Sequence, residues 1–173
     1  PRKRIEIAIE LVRKLGNPRI TLLIAGHSKD EGKDYEVELR KMAKEYGIRH
    51  KFIGNRINSI RKIIAGKRIY TLWDCYVNCD FVIYPTQIEG FGNQFVEAVY
   101  FKKPIIVTPY SVYKEDIKPL GFKTIELERK ITAKTLREIN HYLEDESSYT
   151  KMVNDNFEIG KRYFSYESVE DLI

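Results

Sequence analysis

The residues between Tyr84 and Ala98 have types and spacings that could do chemistry on a phosphate-bearing ligand. They read Pro85-Thr86-Gln87-Ile88-Glu89-Gly90-Phe91-Gly92-Asn93-Gln94-Phe95-Val96-Glu97-Ala98. Gly90 and Gly92 let the backbone approach a ligand closely. Asn93 is a good N-cap for the helix that follows. The opening N–H groups of such a helix carry the positive end of its dipole and suit a diphosphate. Glu89 lies in the loop and Glu97 about one turn into the helix. A carboxylate only accepts hydrogen bonds, which suits neighbouring sugar hydroxyls. A nucleoside diphosphate sugar offers hydroxyls on both sides of its phosphates, so one Glu for each side fits. Taken alone, two Glu eight apart and a Gly-rich turn also describe an ordinary strand–helix connection.

The elements that must position this loop follow from periodicity. Ile5, Ala8, Val12 and Leu15 share a helical face that ends at Gly16-Asn17-Pro18. Ile20 to Ala25 reads as a strand buried on both faces, closed by Gly26. Leu39, Met42, Ala43 and Tyr46 mark a second helix, stopped by Gly47. His50 to Ile53 is a short strand before Gly54. Asn55 to Tyr70 is basic and reads as partly helical, and Leu72 to Asn78 continues as helix. Phe81 to Tyr84 is a strand, Asn93 to Phe101 a helix, Ile105 to Val107 a strand, and Phe122 to Leu127 a weaker one. Thr132 to Leu143 and Ser147 to about Phe164 are closing helices. Strand alternating with helix predicts an α/β fold, a Rossmann-like doubly wound parallel sheet wrapped on both faces. Ligands of such sheets bind at the carboxyl edge, after Ala25, Ile53, Tyr84 and Val107.

Bulk properties bound the rest. The chain has 173 residues, 43% hydrophobic and 32% charged, with 30 basic against 25 acidic residues. That is enough for a single domain spanning 1–173. Its longest apolar runs are too short to span a membrane. A net charge of +5 is compatible with a phosphate-bearing ligand, an anionic membrane or nucleic acid, and selects none of them. Cys75 and Cys79, four apart on an expected helix, read as buried thiols of a reducing cytosol. Many Lys, Glu and Ile with only two Gln (Gln87 and Gln94) lean toward a thermophilic source. A basic nucleic-acid-binding module is a competing reading, but the basic residues form no stripe and no RNA-binding motif is present. His27 reads as a surface histidine.

The run from Asp80 through Thr108 resembles the core motif of glycosyltransferase family 4, the group 1 transferases of GT-B fold. In that family an aspartate, an apolar strand and Pro-Ser or Pro-Thr lead into Glu-Gly-Phe-Gly. Seven residues separate the first Glu from a second, in Glu-Ala, and Pro-Val-Ile-Ala-Thr-like residues follow. Here stand Glu89, Glu97-Ala98 and Pro104-Ile105-Ile106-Val107-Thr108. Pro1-Arg2-Lys3-Arg4 is similar to the family's Pro-Arg-Lys-Gly stretch, and Phe164-Ser165-Tyr166-Glu167 to its closing Phe-Ser-Trp-Glu.

The resemblance implies the C-terminal, donor-binding domain of a retaining glycosyltransferase, without the N-terminal acceptor domain. It implies a donor-diphosphate contact for Lys3 and a contact of Glu89 with the transferred sugar. It also gives Gly90, Phe91 and Gly92 backbone contacts to sugar and phosphate, with Asn93 and Gln94 following at the helix start. It implies a ribose contact for Glu97, and loops lining the nucleotide at Gly26 and Gly54. It further implies an upstream strand and an arginine that this stretch does not contain. Expected partners are a UDP-, GDP- or ADP-linked sugar and the acceptor domain, with peripheral membrane contact permitted and nucleic acid not expected. Expected localisation is cytoplasmic, with the inner membrane surface permitted. No cofactor or metal is expected, since the loop has no Asp-x-Asp pair. A non-catalytic sugar-nucleotide module remains an alternative. Three departures stand out: Lys102 where the family has Gly before the motif's Pro, Ser111-Val112-Tyr113 where it often has Gly-Gly, and the long basic stretch Asn55–Tyr70, expected to be a solvated lid or insertion.

Overall fold

The computed structural model describes residues 3–26, 33–128 and 130–165. Pro1, Arg2, His27, Tyr166 and Glu167 lie outside them. The chain divides into two compact units, Pro1–Asn78 and Cys79–Ile173. Among the described residues no helix is long and apolar enough to cross a membrane.

In the first unit, α1 (Ile5–Leu15) buries Ile7, Ala8, Ile9, Leu11 and Val12 and ends at Gly16 with φ 63°. Its opening residue Arg4 takes φ 45° and offers no side-chain cap. A tyrosine from α2 (Lys33–Glu45) does that work instead. The Ile5 N–H donates to the Tyr35 hydroxyl at 2.9 Å, and that hydroxyl donates to Glu6 Oε2 at 2.6 Å. Strand β1 (Thr21–Ile24) pairs parallel with β2 (Arg49–Phe52), as a helical crossover requires. β1 is not buried on both faces. Leu22 and Ile24 are buried while Leu23 is 38% exposed. Alternation of this kind means one face of the ribbon is covered, where α1 packs on β1, and the other is open.

The basic stretch is not helical beyond the short turn Gly54–Arg56. It is an antiparallel hairpin of β3 (Lys62–Ile64) and β4 (Lys67–Ile69). Its two-residue turn has positive φ at both Ala65 (47°) and Gly66 (73°), as a primed turn demands. Ile63 at 72% is its most exposed aliphatic side chain. Arg61 bridges Asp74 at 2.6 Å. Asp74 in turn closes a capping box with Thr71 at the start of α3 (Leu72–Val77). Cys75 lies on α3, but Cys79 lies beyond it. Both cysteines are half-buried rather than buried.

In the second unit, β5 (Val82–Tyr84), β6 (Ile105–Val107) and β7 (Ile125–Glu126) form a parallel sheet in that order. Central β6 is buried throughout. Helix α4 (Asn93–Tyr100) packs on β5, β6 and the long α6 (Glu146–Phe164), and α5 (Ala133–Glu144) packs on β7 and α6. Thr132 and Asp145 cap α5 and α6 through their side chains. α4 ends in a Schellman pattern, with Lys103 N–H to Ala98 O at 2.9 Å and Lys102 N–H to Val99 O at 3.0 Å. Lys102 therefore occupies the left-handed position, with φ 52°. Lys102 thus takes a conformation that glycine adopts without steric cost. Where Ser111-Val112-Tyr113 departs from the family, the chain enters a π turn (Tyr113–Ile117) and then a 3-10 turn (Lys118–Leu120).

Candidate functional site

The second unit gathers the loop residues at the carboxyl end of its sheet. The Thr108 N–H donates to the Tyr84 carbonyl at 3.1 Å, tying the ends of β5 and β6 together. Pro85 and Thr86 are buried, and the Thr86 hydroxyl donates to the Ile88 carbonyl at 3.3 Å. Glu89 is half-buried, Gly90 is exposed, and Phe91 is 48% exposed.

Asn93 is not the N-cap. Gly92 holds that place with φ 87°, and Asn93 is the first helical residue, its side chain exposed. A positive φ at Gly92 turns the chain into the helix one residue early. Only glycine fits, because a Cβ there would overlap the Tyr110 hydroxyl. The Phe95 N–H donates to the Gly92 carbonyl at 2.8 Å. Among the described residues no acceptor is found for the N–H groups of Gly92, Asn93 and Gln94. Free amides opening a helix are an anion-binding arrangement. Glu97, half-buried, stands one turn further along α4, and Gln94 is exposed.

A continuous chain of rings fixes this loop. Phe91 meets Phe164 of α6 edge-on at 5.3 Å, and Phe164 stacks on Phe122 at 5.6 Å. From Phe122 the contacts run through Phe95, Tyr113 and Tyr110 to Tyr84. Edge-to-face pairs at these separations have favoured quadrupole geometry. Burial pushes the Tyr113 phenol up, as it also does for Tyr110, where the charge of Glu89 adds to the shift and takes it to about 12.

Tyr110 was not singled out by sequence. The one available signal was its place in Pro109-Tyr110, at the carboxyl end of β6. Its hydroxyl donates to the Phe91 carbonyl at 3.3 Å. Thr108 is a second residue missed there. Its Oγ1 is buried and has no hydrogen-bond partner among the described residues.

The remaining expected residues lie in the first unit. Gly26 and Gly54 follow the adjacent strands β1 and β2, whose ends are joined by Ile53 N–H to Ile24 O at 2.9 Å. Lys3 is half-buried just before α1. The first unit thus brings two strand-end glycines together, and the second brings Glu89 through Glu97 together.

Residues 1–158 match the family described as Glycosyl transferases group 1. The chain is 32% identical to the mannosylglucosylglycerate synthase of Thermotoga maritima, over 99% of this chain and 45% of that protein. Its fold is similar to that of Anabaena Alr3699/HepE, solved in complex with UDP, with a TM-score of 0.77 and 20% identity over 99% of this chain and 44% of that one. It is also similar to the C-terminal domain of the group 1 glycosyl transferase LpcC from Francisella tularensis, with a TM-score of 0.71 and 18% identity over 95% of this chain and 81% of that one. The chain therefore spans less than half the length of the curated relative and of the HepE chain.

Proposed function

The chain belongs to the group 1 glycosyl transferases, and from that premise we propose that it is the donor-binding part of a retaining hexosyltransferase that moves glucose or mannose from a nucleoside diphosphate sugar to an acceptor hydroxyl. The observation that carries the reading is the set of free amides at Gly92, Asn93 and Gln94, flanked in sequence by the half-buried Glu89 and Glu97. The amides bind the diphosphate. Glu97 accepts from the ribose hydroxyls and Glu89 from those of the transferred sugar. The UDP complex of HepE and the likeness to the mannosylglucosylglycerate synthase of Thermotoga maritima support a nucleoside diphosphate sugar as the donor. The parts given to Lys3, Gly26 and Gly54 toward the donor rest on the family resemblance alone.

Transfer breaks the bond between the anomeric carbon and the diphosphate while that carbon becomes cationic. Oriented amide dipoles stabilise the departing charge without reorganising. The acceptor oxygen attacks on the face the leaving group vacates and passes its proton to the departing diphosphate oxygen, so configuration is retained without an enzyme nucleophile. Glu89 then positions the sugar rather than attacking it.

The test is Glu89→Ala in the intact parent enzyme. Transfer should fall by about 100-fold or more, as for removal of one group acting on the transition state, while nucleoside diphosphate binding is largely kept. Full activity in that variant would defeat the assignment.

A further inference from the structure

We propose that the Tyr110 hydroxyl is a positioning group for the Gly92 amide: it holds the Phe91 carbonyl and thereby turns the Gly92 N–H toward the donor. This inference rests on the donor-binding reading above and deepens it. The Phe91–Gly92 peptide is trans, as is every described peptide bond. In a trans peptide the C=O and the N–H point in opposite directions. The carbonyl faces Tyr110, which is 2% exposed, so the N–H faces away from the buried rings.

The tyrosine is held on several sides. Its ring lies between Tyr84 at 5.8 Å and Tyr113 at 6.0 Å, and its own carbonyl accepts from the Lys114 N–H at 3.0 Å. The missing side chain at Gly92 leaves the space that the hydroxyl fills. Glycine 92 and tyrosine 110 are therefore two halves of one device. The raised phenol, at about 12, keeps its proton at any working pH, so the hydroxyl remains a donor. Tyr110 lies behind the loop, and its effect on the donor passes through one peptide plane.

The experiment is Tyr110→Phe in this 173-residue chain, titrated calorimetrically with UDP, GDP and ADP and with their glucose conjugates. For whichever nucleotide binds the wild type, affinity should fall by about tenfold, the scale of one lost hydrogen bond at a binding group. The unliganded melting temperature should stay within a few degrees, since the ring is kept. The Gly92 amide resonance should shift on ligand addition in the wild type and respond less in the variant. Unchanged affinity and an unchanged Gly92 response in Tyr110→Phe would overturn the proposal while leaving the donor site standing. So would a variant that melts as low as Tyr110→Leu, because the role would then be packing. If no nucleotide binds even the wild type, it is the donor-binding reading that fails.

Discussion

Lys102 shows how a single residue can obscure a turn. It stands at the left-handed position of a Schellman cap, where a Cβ costs about 1 kcal/mol. Its ammonium donates to Asn154 Oδ1 at 2.9 Å and lies 4.5 Å from the centre of the Phe157 ring, which offsets part of that cost. Replacing Lys102 by Ala removes both contacts and keeps the strain; replacing it by Gly removes both contacts and the strain. Gly should therefore be more stable than Ala by about 1 kcal/mol in urea denaturation, the reverse of the order in a helix interior. Arg4 repeats the pattern with φ 45° at the family's other glycine position. Glu89 and Glu97 could be picked out as candidates from the sequence because their whole context lies within one short run. Tyr110 was not, because its meaning depends on a bond across 19 residues to Phe91, and nothing local marks such a pairing.

Element boundaries were legible where apolar periodicity was strong, as for α1, α4 and α6. The hairpin was not. Lys-Ile-Ile and Lys-Arg-Ile do not alternate, and Ala65-Gly66 is a weaker turn signal than Asn-Gly, so the stretch lacked the marks of strands. The docking of α6 depends on a residue that sequence reading passed over. Asn156, 2% exposed, accepts from the Lys123 N–H at 2.8 Å and donates to the Lys123 carbonyl at 2.7 Å. It thereby satisfies both backbone groups of the segment leading into β7. Asn156→Leu keeps much of the volume but leaves both groups without partners. It should cost about 2–4 kcal/mol, seen as a lower urea midpoint at unchanged slope. A loss below about 0.5 kcal/mol would mean that water replaces the amide.

At the scale of the whole chain, alternation of strand and helix was enough to specify parallel α/β units, because each crossover demands it. Donor identity was not legible, since strand-end glycines such as Gly26 and Gly54 carry no side chain that could select a base. Linkage supplies what patterning cannot. A nucleoside diphosphate that binds only the folded chain stabilises it by about 2.7 kcal/mol at 100 times its Kd. For a chain of this size that is a rise in Tm of about 5–10 °C. Of UDP, GDP and ADP at equal concentration, the cognate base should give the largest shift. On the roles proposed for the two carboxylates, its effect should shrink more in Glu97→Ala, at the ribose, than in Glu89→Ala, at the transferred sugar. An equal response of the two variants to the bare nucleoside diphosphate would merge the roles given to the two carboxylates, and the opposite order would exchange them. Equal shifts from all three bases would place the affinity in the amides of α4 alone, because a diphosphate held only by those dipoles carries no information about the base attached to it.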